Sequence, residues 1–364
     1  MKIVIVGAGV AGLAIGWRLQ QAGASVTVLE RGQPAQAATW ASAGMIAVAG
    51  ETKHAVSAEA GFARHASGLW RDFATEIEAA SGRDIDYRRN GALLVTESAG
   101  IPPGSDPRHG VQWLSAEEVH RKEPMLSPDI VGALWAPDEA QVDNRALGNA
   151  LAIAFQRSGG GLSVNEPVVR VQHGADGVQA LETPFARHEA EAFIVAAGAW
   201  SGMLGGLPPG VLPPVRPVKG EMIAVAPPAH AVIPSAVIRG GEVYLVPRRD
   251  RLLIGATMED AGFDSTVTQA ATDWLSRRAL RLMPDLARWE VVERWAGLRP
   301  AAPDGLPLLG PTGMERLFVA SGQFRNGILF APAIAEHMSR LVLEHAAPIP
   351  EFDPRRFLVG TKAG

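Results

Sequence analysis

Four β-branched residues, Ile3 to Val6, run without a break into Gly7-Ala8-Gly9-Val10-Ala11-Gly12. The apolar run reads as a short buried strand, Leu13 to Gln21 has helical composition, and Val26 to Leu29 is a second strand ending on Glu30. Strand, glycine turn, helix and strand in this order make the clasp of a Rossmann-like α/β fold. The three glycines serve different ends. Gly7 permits the tight turn, Gly9 lets backbone approach a pyrophosphate, and Gly12 lets helix pack closely on strand. The helix N-terminus that follows offers N–H groups and a positive dipole end to phosphates. Glu30 lies 18 residues beyond Gly12, where a carboxylate accepts hydrogen bonds from both hydroxyls of an adenosine ribose. A ligand containing ADP is expected here.

At 364 residues the chain exceeds the usual size of one domain, so two domains sharing a large core are expected. Net charge is −4 with both signs mixed along the chain, which points away from nucleic acid. Lys2 is followed by only four apolar residues before the glycines, so no signal peptide is read. No stretch approaches the roughly 18 apolar residues that span a bilayer. Zero cysteines exclude disulfides, a thiol nucleophile and a thioether-linked cofactor. A cytoplasmic homo-oligomer without a metal site is the expectation.

Farther on, Thr39 to Gly50 is rich in small residues and is expected to be a loop packed on something flat. Phe62, Ala66, Leu69, Trp70, Phe73 and Ile77 recur at helical spacing, predicting an amphipathic helix near 59–81. Gly91 to Glu97 and Gly132 to Ala136 read as strands around a Pro-rich excursion at 101–110, and Asp143 as the cap of a helix through about Arg157. Short strands follow at 168–173, 178–183 and 191–197, the last breaking at Gly198 as a sheet end facing a ligand does. Residues 215–226 and 237–258 alternate like antiparallel strands, with a hairpin turn at Arg248 to Arg251. A helix near 267–283, a strand at 290–298, a strand at Leu317 to Ser321, a turn at Gly322 to Gly327 and a helix at Ile328 to Leu343 complete the pattern. The dinucleotide domain is therefore expected to be discontinuous (1–84, 143–213 and 303–364). An inserted antiparallel-sheet substrate domain takes 85–142 and 214–302.

A flavoprotein reductase drawing electrons from a nicotinamide would need a second glycine fingerprint, and none occurs. The single dinucleotide site must then hold the redox cofactor itself. The C-terminal strand-turn-helix supports a flavin, because a helix start at 327–328 would aim its positive end at the N1/C2 edge of the ring. Without cysteine, non-covalent FAD is expected.

These residues carry a resemblance. LERGQPAQAATWASAGMIA, RPVKGEMIAV, VYLVPRRDRLLIGATMEDAGFD, RWAGLRPAAPDGLPLLGP and SGQFRNGILFAPA resemble the glycine oxidases of thiamine biosynthesis, in the D-amino-acid oxidase superfamily of FAD proteins. The resemblance runs in the same order from residue 3 to about 345. It implies a flavin domain plus a substrate domain, and oxidation of glycine, sarcosine or a small D-amino acid to its imine. Hydride passes to flavin N5 and oxygen becomes hydrogen peroxide. It also implies flavin contacts at Val10, Ala11, Glu30, Arg31, Ala38, Thr39, Ala43, Gly44, Met45 and Val168. Gln323, Phe324, Arg325, Asn326, Gly327, Ile328 and Leu329 would wrap the ring edge.

The substrate residues read two ways. Arg299 sits among apolar neighbours, where an unpaired guanidinium is costly. It is either paired with Asp304 or Glu293, or, as the resemblance implies, binds the substrate carboxylate through its planar fork. Tyr244, one of two tyrosines, is a core aromatic or a hydroxyl on that same carboxylate. Arg325 caps a carbonyl or lies beside flavin and substrate. Met258 and Met45 read as core filler unless the resemblance makes them cavity walls, and Glu51 as a solvated charge or a residue at the cavity mouth. No general base is nominated: a neutral amine delivers hydride once it is aligned over the ring. Two positions depart from the pattern, Gln323 where histidine is common and Glu242 where some relatives place histidine. Besides the oxidase, a dehydrogenase passing electrons to a quinone or carrier and an inactive flavin-holding subunit are the alternatives.

Overall fold

The computed structural model describes residues 1–49, 57–96 and 110–358. Glu51 and residues 101–109 of the Pro-rich excursion lie outside them. Two large sheets organise the chain. In the first, Lys2–Val6 is central, flanked by parallel strands Ser25–Leu29 and Ala192–Val195. Gly161–Ser163 and Leu317–Ser321 extend it in parallel on either side, and Leu308–Pro311 closes one edge antiparallel.

The first strand shows why this sheet is apolar throughout. Ile3 and Ile5 face the helices Val10–Gln21, Ser57–Ser81, Asn144–Arg157 and Gly327–Leu343 in one core. Val4 and Val6 face a second core shared with the three-stranded sheet of Arg170–Gly174, Gly177–Glu182 and Arg187–Glu189. A strand covered on both faces has no reason to alternate in polarity. Helix Ser57–Ser81 buries Phe62, Ala66, Trp70, Phe73 and Ile77, as its spacing predicts. Asp143 caps Asn144–Arg157, its Oδ1 accepting from the N–H of Arg145 and of Ala146, both at 2.9 Å.

The second sheet has eight strands, drawn from residues 92–136 and 216–301. Its order runs Glu290–Ala301, Arg216–Ala226, Leu252–Gly255, Val243–Pro247, Val237–Gly240, Ala92–Thr96, Gly132–Ala136 and Gln112–Ser115. The expectation of a wholly antiparallel sheet needs one correction, because Val237–Gly240 lies parallel to Ala92–Thr96. The long chain between these two strands supplies the crossover that parallel pairing requires.

The expected loop at 39–50 is more regular than its composition suggests. Ala38–Ala41 forms a helical turn, and Met45–Ile46 pairs with Ala140–Gln141. Small residues here serve close packing: a Cβ added at Gly297 would overlap that of Ala41, and Trp295 Nε1 donates to the Ala41 carbonyl at 2.9 Å. Strand Gln112–Ser115 and helix Ala116–Lys122 add to the expected pattern. Their signal is the Ser-x-x-Glu spacing of Ser115 and Glu118, which form a complete capping box.

Candidate active site

Between the carboxyl ends of the parallel strands and one face of the eight-stranded sheet lies a cavity of about 980 Å³. This is at the upper end of the range for small-molecule sites, large enough for a sizeable ligand. Its position, at the ends of parallel strands, is where open α/β sheets bind ligands.

The glycine clasp forms one end. Gly7, Gly9, Val10 and Ala11 line the cavity, whereas Gly12 does not. A Cβ at Gly12 would overlap the Gly7 carbonyl oxygen, so this glycine serves the helix-to-strand packing read from the sequence. Glu30 Oε2 accepts from Ala8 N–H at 2.8 Å and Oε1 from Gly32 N–H at 3.0 Å. The carboxylate is thereby held in one plane, each oxygen keeping a lone pair for a hydroxyl. Thr39 Oγ1 accepts from Val10 N–H at 2.9 Å, while Arg31 stacks 3.7 Å from the ring centroid of Trp200, also a lining residue. Ala38, Ala43, Gly44, Met45, Val168 and Gly198 complete this part of the lining.

Gln323, Phe324, Arg325, Asn326, Gly327, Ile328 and Leu329 line the cavity as one turn. The turn is stitched to the strand carrying Arg299: Phe324 N–H donates to Pro300 O at 2.8 Å, and Gln323 bridges Ala301. Phe324 takes φ +47°, a conformation bulky residues rarely adopt. From the helix side, Trp70 Nε1 donates to Leu329 O at 2.9 Å. Neither the Gly327 helix nor the Val10 helix has an acidic residue in its own first turn, and both helix starts line the cavity.

Strand register builds the other side. Met222, Tyr244 and Arg239 stand in one row with Gly255, which pairs with both Met222 and Tyr244. Gly255 leaves room for the tyrosine: an added Cβ would lie 2.5 Å from the ring. The Tyr244 hydroxyl sits 3.7 Å from Met222 Sδ. Arg299, opposite Val218, reaches over Gly220, whose Cβ would collide with the guanidinium. Its Nη1 donates to the carbonyls of Lys219 at 3.3 Å and Thr257 at 3.2 Å.

The ion-pair reading of Arg299 does not hold. Glu293 is taken by Arg145 at 2.8 Å and Asp304 by Arg356 at 2.7 Å, and among the described residues no carboxylate pairs with Arg299. Met258 lines the cavity but is 64% exposed, so it sits at the mouth rather than in a packed wall. Arg325 also lies exposed there, and Glu242, at the rim, pairs with Arg278 at 2.8 Å.

Arg248, which the sequence places only in a hairpin turn, has more to do in the structure. Buried, it donates to Ala43 O at 2.7 Å, Val142 O at 3.1 Å and Gln141 Oε1 at 2.5 Å, bracing the backbone around Gly44. Burial lowers its pKa to about 10, so it stays charged at neutral pH. An arginine that joins distant segments through carbonyls leaves no periodic signal in a sequence. Trp200, Met222, Arg239 and Thr257 also line the cavity, and no motif or spacing marks them as site residues.

The residues suit a flavin dinucleotide. Gln323 is 6% exposed and its Nε2 has no partner, and Asn326 Oδ1 is likewise buried and unpartnered. Both belong to the turn at the Gly327 helix start, where the polar edge of a ring would supply the missing partners. Among the described residues that line the cavity there is no histidine to form a covalent link. Clasp, ribose carboxylate and ring-edge turn together define a flavin-dependent oxidoreductase.

Comparison with known proteins gives the family. The model of the FAD dependent oxidoreductase family matches residues 2–341, and the chain belongs to that family. It is 34% identical to a glycine oxidase of Geobacillus kaustophilus over 91% of this chain and 89% of that protein. The crystal structure of glycine oxidase from the same organism superposes with a TM-score of 0.89 at 32% identity, covering 100% of this chain and 99% of that one. A bifunctional protein ThiO/ThiG of Synechocystis is 36% identical over 99% of this chain. The chain spans about half the length of such bifunctional relatives, 54% in that case.

Proposed function

We propose that this protein oxidises a small amino acid, glycine, sarcosine or a small D-amino acid, to its imine. The observation that carries this reading is Arg299: a guanidinium with no carboxylate partner among the described residues, at a cavity whose other end suits FAD. The planar fork receives the substrate carboxylate, and the Tyr244 hydroxyl completes that subsite. Non-covalent FAD, when bound, supplies the hydride acceptor and passes the electron pair to O₂.

The protein's own part is mostly placement. Arg299 and Tyr244 fix one end of the substrate, so its α-carbon is presented to the ring in a single orientation. Tyr244 and Met222 crowd the space above and leave room for hydrogen or methyl. The reading takes residues 1–84, 143–213 and 303–364 as the FAD domain, with 85–142 and 214–302 as the substrate domain. The six-stranded and eight-stranded sheets support that division. No helix among the described residues is long and apolar enough to cross a membrane, consistent with the cytoplasmic site we propose. A homo-oligomer belongs to the same proposal.

The anchor and the acceptor can each be tested. Gly220→Val pushes a methyl into the Arg299 guanidinium, so it is expected to keep FAD and lose substrate affinity by roughly tenfold or more. Titration of a carboxylate inhibitor checks this, and unchanged affinity contradicts it. Turnover of glycine in air is expected to yield one peroxide per imine. Dye-dependent turnover without peroxide would favour a dehydrogenase.

A further inference from the structure

Two charges lie buried just behind the anchor. Lys219 and Glu221 are 2% and 1% exposed, and Lys219 Nζ meets Glu221 Oε1 at 2.8 Å. They alternate along the strand with Gly220 and Met222, which line the cavity, so the pair occupies the opposite face. Burial works against the ammonium, but the Glu221 carboxylate beside it prevails and raises the Lys219 pKa.

The pair grips both ends of the segment from Thr257 to Thr268. At the first end, Lys219 and Glu259 exchange main-chain hydrogen bonds at 2.9 and 3.0 Å, and Lys219 Nζ lies 3.6 Å from Glu259 Oε2. Thr257 N–H donates to Glu221 O at 3.2 Å, and Thr257 Oγ1 accepts from Glu221 N–H at 2.9 Å. That hydroxyl also donates to Glu259 Oε1 at 2.6 Å. At the second end, the Glu221 carboxylate accepts from Thr268 N–H at 2.8 Å and Thr268 Oγ1 at 3.1 Å.

The two carbonyls that steer Arg299 belong to Lys219 and Thr257, both inside this clamp. A buried ion pair is a poor source of stability, since apolar residues of similar volume commonly do as well. Its location accounts for it better. We propose that Lys219 and Glu221 are positioning residues that set the Arg299 guanidinium by fixing Thr257. This rests on the reading of Arg299 as the carboxylate anchor.

The test uses FAD-loaded enzyme and glycolate, a carboxylate without an amine, with binding followed by flavin absorbance. Lys219→Met/Glu221→Leu removes both charges together, leaving neither stranded. Thr257→Val severs the hydroxyl links and keeps the pair, so it decides the matter should the double variant not fold. Both are expected to retain FAD, raise the glycolate Kd and the glycine KM by about tenfold or more, and change kcat less than about threefold. Lys219→Arg, which restores the pair, is expected to bind glycolate close to the wild type. Wild-type glycolate affinity in whichever of the first two variants folds overturns the proposal, even if melting temperature falls. Arg299→Lys, measured alongside, separates the two claims. If it weakens glycolate binding while the clamp variants do not, only the positioning role fails; if it too binds normally, the anchor reading fails and takes the proposal with it.

Discussion

Arg299→Lys is expected to leave a yellow, folded enzyme that hardly recognises amino acids. An ammonium on a flexible stem cannot present two parallel donors to a carboxylate, nor keep both carbonyl contacts that now orient the side chain. Charged hydrogen bonds contribute about 1.5–3 kcal/mol, so kcat/KM is expected to fall roughly 10- to 100-fold or more. Flavin content and melting temperature should change little, because Arg299 holds no ion pair among the described residues. Unchanged kcat/KM with a loss of stability would return Arg299 to a structural role.

The second large effect is expected at the clasp. Gly12→Ala adds one methyl, but its neighbour is the Gly7 carbonyl, and main chain cannot rotate away as a side chain does. Gly7 is itself confined, with φ +104° and an added Cβ only 2.5 Å from the Ala196 carbonyl oxygen. Helix Val10–Gln21 must then lift from the sheet, carrying the phosphate-facing N–H groups with it. Overpacking of this kind costs about 1–3 kcal/mol or more in stability. The variant is expected to purify largely colourless and to take up added FAD at least tenfold more weakly, as read by flavin fluorescence quenching. Wild-type FAD affinity would contradict the role given to Gly12.

What the sequence makes legible and what it hides follow from the range of the interactions. The clasp is local: strand, turn, helix and acidic residue lie within 30 residues, and the part played by each glycine is visible in its spacing. The Asp143 cap and the Phe62 to Ile77 stripe are equally local. By contrast, Arg299 faces the cavity because Gly220 on a paired strand gives it room, and no spacing within one segment reports that pairing. Its ion-pair reading fails for the same reason, since Arg145 and Arg356, distant in sequence, hold Glu293 and Asp304. Arg248 and the Lys219–Glu221 clamp stay hidden because their partners are main-chain carbonyls and residues of other segments. Met258 shows the converse: resemblance brings it to the cavity, but only the fold shows it at the mouth.

Anaerobic reduction of the bound flavin across a substrate series tests the proposed activity most directly. Glycine, sarcosine and D-alanine are expected to bleach the flavin faster than D-phenylalanine. The reading takes Tyr244 and Met222, neighbours in the cavity lining, to crowd an aromatic side chain, although a few methylenes shift discrimination by only about 1–3 kcal/mol. Because Met258 sits at the exposed mouth, Met258→Ala is expected to move this ranking only modestly. Fast reduction by D-phenylalanine, or no reduction by any primary or secondary amino acid, would contradict the account.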